Sequence, residues 1–187
     1  MSGMRNTAGQ YGLVAQFFHW SIVVLILTQY LWAWRIDQEG AVSRARLELV
    51  TQHKTIGMII LALAVARLAW RLFDRPPRLP DSVAGWERGA AAATHWLLYG
   101  LILAMPLTGW LYSSAAGFGD QWWGPVNFPA LMGSSDYWQD VLGAVHGWLA
   151  VALAALAGLH VLAALRHHFI LRDAVLSRML PTRRPRG

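Results

Sequence analysis

Four stretches of the 187-residue chain are free of charged side chains, and polar segments separate them: residues 17–34, 55–66, 94–112 and 147–165. Three of them reach the roughly 18–20 residues that an α-helix needs to cross a hydrocarbon core of ~30 Å. The second reaches that length when it extends through Arg67 and Arg71, whose long side chains can snorkel to the headgroups. The pattern predicts an all-α fold, an integral membrane bundle of four transmembrane helices.

The segments between these stretches predict how the helices are joined. The polar segment 36–47 connects the first two helices, and "FDRPPRLPD", with three prolines, ends the second. The connection 113–139 is long and rich in Gly, Pro and aromatic residues, which is typical of a functional loop or a packed cap. We expect residues 1–12 to be frayed, a single transmembrane domain over 8–181, and a disordered basic tail over 182–187.

The basic residues predict which way the bundle faces. If the N-terminus is cytoplasmic, twelve of the 16 Lys and Arg fall on the cytoplasmic side, and four on the outer side: Arg35, Arg44, Arg46 and Lys54. By the positive-inside rule we expect a multi-pass membrane protein with both termini on the cytoplasmic side. The same rule explains the basic tail, so we expect no nucleic-acid partner.

Composition narrows the chemistry that the bundle can perform. The chain has no cysteine, which excludes disulfides, iron–sulfur clusters and thiolate metal sites. Histidine remains as the main candidate metal ligand, and the chain has seven. Many of the 11 tryptophans lie at the ends of the apolar stretches, where an interfacial aromatic belt would place them.

Five histidines fall at two depths of the predicted bundle. His146 and His160 are fourteen residues apart, which on a helix is about 21 Å along the axis and within about 40° of the same face. His53 shares the outer depth with His146. Either His19 or His95 shares the cytoplasmic depth with His160. The sequence therefore predicts two stacked bis-histidine sites between helices.

Haem iron suits these sites better than zinc does. Zinc requires three or four protein ligands, and the apolar stretches hold no acidic residue. Two neutral imidazoles on opposite sides of a porphyrin complete the coordination of haem iron. Basic residues at each depth can pair with the propionates: Arg67, Arg71 and Arg166 inside, and Arg35, Arg46 and Lys54 outside.

Each of these features also has a plainer interpretation. A lone intramembrane histidine is more often hydrogen-bonded than metal-bound, but four at matched depths favour the di-haem interpretation. Small residues beside the histidines also serve ordinary helix packing. His167 and His168 follow Arg166 at the cytoplasmic boundary, where we expect solvated interface residues.

The segments "AQFFHWSIVVLIL", "QHKTIGMIILALAVARLAWRL", "ATHWLLYGLILAMPLTGWLYS" and "LGAVHGWLAVALAALAGLHVLAALRHH" resemble the four helices of the bacterial cytochrome b561 family. This small di-haem group is related to the cytochrome b subunits of nickel–iron hydrogenases and formate dehydrogenases. The resemblance implies two haem b groups, one held by His19 with His160 and the other by His53 with His146. It leaves His95 as an additional histidine near the inner haem.

Small members of this group are similar to an enzyme that oxidises superoxide and reduces ubiquinone. The resemblance thus implies superoxide, or a periplasmic redox protein, as the donor and ubiquinone as the acceptor. His95 then donates a hydrogen bond to the quinone or, alternatively, to a haem propionate or a backbone carbonyl. A cytochrome b anchor subunit of a periplasmic dehydrogenase or hydrogenase is the second hypothesis. A metal transporter is disfavoured, since the apolar stretches hold no acids.

Overall fold

The computed structural model describes residues 3–39, 43–80, 83–118, 122–123 and 127–180. These residues form no strand and four long helices: α1 Leu13–Gln38, α2 Arg44–Phe73, α3 Gly85–Ala115 and α4 Asp136–Arg166. A π-helical turn, His167–Leu171, and a 3₁₀ turn, Ser177–Met179, follow α4. All four helices are long and apolar enough to cross a membrane, which confirms the predicted all-α four-helix fold.

The helices are longer than the apolar stretches because polar residues start them outside the hydrocarbon region. The Ser43 side chain accepts a hydrogen bond from the Arg46 amide and caps α2, and Ser135 caps α4 through the Trp138 amide. Helix α3 continues through Pro106, as membrane helices allow when neighbouring groups satisfy the freed carbonyl.

The helices pack in chain order, α1 on α2, α2 on α3 and α3 on α4, whereas the backbones of α1 and α4 are not closely packed. The Tyr30 hydroxyl bridges that wider space by donating to the Ala150 carbonyl of α4 at 2.6 Å. We call one end of the bundle the terminal end. It is the end at which α1 and α3 begin, at Leu13 and Gly85, and at which α2 and α4 finish, at Phe73 and Arg166. The opposite end is the loop end, where α1 and α3 finish at Gln38 and Ala115 and where α2 and α4 begin at Arg44 and Asp136.

The first residues are anchored to the terminal end, so the expectation of a frayed N-terminus is wrong for residues 3–12. The Asn6 amide donates to the Asp74 carboxylate at 2.8 Å, and the Tyr11 amide donates to the Arg178 carbonyl at 3.2 Å. Gly12 allows the fold-back, because a Cβ there would lie 2.4 Å from the Met4 carbonyl oxygen. The predicted tail 182–187 lies outside the described residues, and the domain bounds 8–181 stay a prediction.

The surface of the bundle is rich in large apolar side chains. Large side chains such as Phe17, Leu27 and Leu162 are at least 63% exposed, as a surface that faces lipid requires. The interior holds histidines from all four helices, which are costly to bury unless a partner satisfies them. The fold therefore directs attention to the space between the helices.

Candidate functional site

Two pairs of imidazoles face each other inside the bundle, one near each end. His53 of α2 and His146 of α4 have ring centres 6.4 Å apart, with the rings inclined at 77°. His19 of α1 and His160 of α4 also have ring centres 6.4 Å apart, inclined at 82°. The structure thus brings together the residues that the sequence placed at common depths.

The spacing of both pairs fits two ligands on opposite sides of one metal ion. A metal–imidazole bond of about 2.0 Å, plus about 1.2 Å from the nitrogen to the ring centre, gives centres about 6.4 Å apart. His95 lies in the same cluster, but its ring centre is 5.4 Å from that of His160. That distance is too short for the two rings to ligate one ion from opposite faces, so the geometry favours His19.

Each level brings one facing pair of imidazoles together in the described part of the protein. The described part of the chain holds no group of three or more His, Asp or Glu placed to bind a metal ion. A metal ion here therefore needs its remaining ligands from another group, as in a porphyrin. The two pairs join α4 to α1 and α4 to α2, helices that are not closely packed on each other.

Buried polar atoms beside the pairs point to a further group. The Nδ1 atoms of His19 and His53 are buried and have no hydrogen-bond partner within the described ranges. The Oε1 atom of Gln29 is also buried and has no hydrogen-bond partner among the described residues. Native proteins rarely leave such atoms unpaired, because each loses its hydration on folding. The residues present therefore fit a bound group that shares the space between the helices.

His146 is held by a neighbour that the sequence reasoning missed. The Thr108 hydroxyl donates to the Ala104 and Met105 carbonyls and lies 3.2 Å from Nδ1 of His146. With its proton directed at those carbonyls, the hydroxyl oxygen is placed to accept from Nδ1–H of His146, and that tautomer leaves the Nε2 lone pair available to a metal ion. Gly109 makes room for the ring, since a Cβ there would lie 3.0 Å from Cε1 of His146.

His53 has a corresponding polar neighbour on α1. The Gln29 side-chain amide donates to the His53 carbonyl at 2.9 Å. A Cβ at Gly57, the glycine of the "HKTIG" segment, would lie 3.3 Å from that same amide nitrogen. The signals that would have identified Thr108 and Gln29 are single polar residues within otherwise apolar stretches.

The described part of the connection 113–139 forms an aromatic cap over the loop end. Trp122 packs edge-on against Trp110 and Phe128. The Lys54 ammonium lies 4.7 Å from the centre of the Trp122 ring and donates to the Phe118 carbonyl. Lys54 follows His53 in the chain, so the cap lies directly beside one member of the loop-end pair.

The terminal end is built differently. The Arg67 guanidinium lies 5.5 Å from the Tyr99 ring centre, and that of Arg71 lies 5.8 Å from the same ring. The Trp20 ring packs against His19 at 5.1 Å. Trp20 also lines a cleft of about 510 Å³ between α1 and α2, together with Ser21, Val24, Leu25 and Leu63.

The two histidines that follow α4 behave differently from each other. His168 is exposed, as expected of an interface residue. His167 is 9% exposed, and its Nδ1 lies 2.5 Å from the Asp173 carboxylate. The expectation of a solvated residue is therefore wrong for His167, because the chain turns back after Leu171 and brings Asp173 onto it.

The fold and the paired imidazoles define a class, the membrane-spanning helix bundle with bis-histidine sites between its helices. The family model for prokaryotic cytochrome b561 matches residues 10–182. Cytochrome b561 homolog 2 of Escherichia coli (strain K12) is 33% identical over 178 residues, covering 94% of this chain and 93% of that relative. The probable superoxide oxidase CybB of Yersinia pestis is 30% identical, with coverage of 94% and 98%.

The chain belongs to the prokaryotic cytochrome b561 family. It is therefore a multi-pass bacterial membrane protein of the electron-transfer type, and family membership implies b-type haem. A cytochrome b562 of Cereibacter sphaeroides is also similar, at 28% identity over 172 residues, covering 90% of this chain and 91% of that relative.

Proposed function

We propose that the protein is a di-haem oxidoreductase of the bacterial inner membrane that takes single electrons from superoxide and passes them to ubiquinone. The observation that carries this proposal is the recurrence of one geometry: two imidazole pairs, each 6.4 Å between ring centres. The similarity to a probable superoxide oxidase of Yersinia pestis supports superoxide as the donor. In this proposal the protein oxidises superoxide at one end of the bundle and reduces ubiquinone at the other.

In this proposal His53 and His146 hold the haem at the loop end, and His19 and His160 hold the haem at the terminal end. When bound, each haem supplies the reversible one-electron chemistry that no side chain of this protein offers. Thr108 fixes the ring of His146 and the tautomer in which Nε2 is a lone-pair donor. The spacing of the ligands on α4 separates the two sites by about 21 Å along the helix axis.

We assign the loop end to the periplasm and both termini to the cytoplasm, from the distribution of Lys and Arg. Superoxide is an anion, so basic side chains near the loop end raise its rate of encounter. Arg35 and Arg44 are exposed there, at the end of α1 and the start of α2. Asp37, Glu39 and Glu48 oppose them, which keeps the expected steering moderate.

His95 is the residue that we assign to ubiquinone. Its ring lies 5.4 Å from that of His160, at the terminal end and off the axis of the His19–His160 pair. An imidazole N–H there can donate to a quinone carbonyl and deliver a proton as the quinone is reduced. In this way His95 joins electron transfer to proton uptake on the cytoplasmic side.

Stopped-flow mixing of the purified, oxidised protein with superoxide tests the proposal. We expect the b-haem absorption bands to show reduction, at a rate that falls as salt rises, and then reoxidation by a water-soluble ubiquinone analogue. Absence of reduction by superoxide contradicts the assigned donor. A rate that does not change with salt contradicts the steering but not the reaction. A stoichiometric redox partner that copurifies after mild solubilisation favours the anchor-subunit alternative.

A further inference from the structure

Two arginines bring positive charge into the terminal end of the bundle without an acidic partner. Arg67 and Arg71 lie on consecutive turns of α2, and both are partly buried. No carboxylate within the described residues forms an ion pair with either guanidinium. Buried charges are normally paired, because removing an ion from water is costly.

Helix geometry directs Arg67 toward the terminal-end histidines. Arg67 follows His53 by fourteen residues on α2, as His160 follows His146 on α4. Both helices run from the loop end to the terminal end. Fourteen residues correspond to about 21 Å and nearly the same face. Arg67 on α2 therefore reaches the depth of His160 on α4.

The groups around the guanidinium ions are aromatic and carry no negative charge. Tyr99 is 8% exposed and lies under both arginines, and Trp96 lies 6.0 Å from Arg71. Burial raises the pKa of Tyr11 above its ordinary value of 10.0, although the charges of Arg71 and Arg67 oppose the shift. Tyr11 is thus a neutral phenol. Cation–π contacts stabilise the arginines in part but leave their charge uncompensated.

The carboxylates that the structure describes near this end are engaged elsewhere. Asp74 accepts from the Asn6 amide and pairs with Arg5 at 3.6 Å. Glu87 pairs with Arg166 at 2.9 Å, and Asp173 lies 2.5 Å from His167. These three carboxylates are therefore not the counter-charges of Arg67 and Arg71, whose guanidinium groups stay available to a bound anion.

We infer that Arg67 and Arg71 form an anion site for the carboxylates of the terminal-end haem, and that their charge makes this haem the easier of the two to reduce. This inference rests on the proposed function. Positive charge near a haem favours its reduced form, and local charge is one means by which a protein sets the potential. At the loop end, Arg46 donates to the Ile36 carbonyl at 2.6 Å, and Lys54 donates to the Phe118 carbonyl. The terminal end thus offers the haem carboxylates two guanidinium groups from one helix, whereas the printed contacts of the loop-end cations direct them to backbone carbonyls. On this inference electrons pass from the loop end toward the terminal end.

Potentiometric titration of the purified holoprotein tests the inference. We compare wild type with Arg67→Gln, Arg67→Lys and Arg71→Gln, and use Arg75→Gln as a matched control. Arg75 is exposed at the same end of the bundle, so this control removes the same charge from a solvated position. The wave lost in a His19→Ala protein identifies the terminal-end haem. The wild-type wave so identified should have the higher midpoint potential.

In Arg67→Gln we expect the reduced-to-oxidised ratio of that haem to fall at least tenfold at a fixed potential, a midpoint shift of about 59 mV. Arg71→Gln should shift the same wave in the same direction. Arg67→Lys and Arg75→Gln should leave it near wild type. The loop-end wave should stay in place throughout.

Each remaining outcome decides a different question. If Arg67→Gln does not fold, Arg71→Gln carries the test alone. Two haem waves that are unmoved in both glutamine variants overturn the inference and leave the di-haem proposal standing. A wild-type preparation without haem overturns the proposed function, and the inference with it.

Discussion

The loop-end and terminal-end histidine pairs share one ring separation, 6.4 Å, but differ in almost everything around them. At the loop end Thr108 contacts His146, and an aromatic cap contacts Lys54 of α2, the residue after His53. At the terminal end a third imidazole, His95, lies beside His160, and two arginines lack acidic partners in the described chain.

In the proposed function this difference lets one ligand set serve two tasks. Identical axial ligands leave the surroundings to set the potential and the access of each site. The loop-end site, which is capped and has His146 fixed by the Thr108 hydroxyl, suits electron transfer from a small donor dissolved in water. A site with an additional imidazole and uncompensated positive charge suits an acceptor that takes up protons and electrons together.

Replacement of one axial ligand should have the largest effect. We expect His53→Ala or His146→Ala to remove the loop-end haem, and His19→Ala or His160→Ala to remove the terminal-end haem, because each iron loses one of its two protein ligands. Pyridine haemochrome assays against protein concentration should show half of the wild-type haem in each variant. A folded variant that loses both haems from one replacement contradicts independent sites.

Thr108→Val should have a smaller effect, confined to the loop end. The substitution keeps the shape but removes the hydroxyl that fixes His146, and such loss typically weakens metal binding about 10–100-fold. The measurement is the rate of haem transfer from the purified protein to an apo-globin. Thr28→Val is the matched control, because Thr28 bonds the Val24 carbonyl of its own helix, and Thr28 faces outward. Equal rates in the two variants would show that Thr108 does not hold the ligand.

Removal of the Asp173–His167 contact should have the smallest effect of the three, a loss of stability that depends on pH. Burial alone would raise the pKa of Asp173, but hydrogen bonds from the Val175 amide and His167, with the charges of His167 and Arg178, bring it below 3.8. A lowered carboxyl pKa stabilises the folded state above pH 3.8, and this stabilisation is lost as pH falls through the folded value. Asp173→Asn should therefore lower Tm near pH 6 by about 2–4 °C.

The measurement is the melting temperature of wild type and Asp173→Asn in the same detergent across a pH series. The difference between the two proteins should shrink toward zero below pH 3.8. A difference that stays constant across the series would show that the Asp173 charge does not stabilise the turn after α4. Limited proteolysis of the C-terminal segment provides a second readout of the same contact.

Periodic and charge-free stretches were sufficient to predict the four helices, because membrane-spanning segments must satisfy their backbone internally over a fixed length. The spacing of His146 and His160 predicted two depths, since it depends on helix geometry alone. It did not decide between His19 and His95 as the partner of His160. The ring distances favour His19, and ring distances depend on how helices pack.

Contacts between distant parts of the chain explain what the sequence did not predict. Residues 3–12 are held by Asp74 and Arg178, which are far away in sequence and carry no local signal. His167 is buried because the chain reverses after a π-helical turn and places Asp173 beside it. Thr108 lies in an apolar stretch where a hydroxyl usually bonds its own helix. Its additional contact with His146 required the arrangement of α3 and α4.

The most direct test of the central claim is a count of haem per chain. The protein should be purified in mild detergent from cells supplied with haem precursors, and its pyridine haemochrome spectrum should be compared with its amino-acid content. Two sites with bis-histidine ligation predict two b-type haems per chain and the visible bands of low-spin b-type cytochromes. A folded, colourless preparation, or one that holds a single haem at saturation, would contradict the claim.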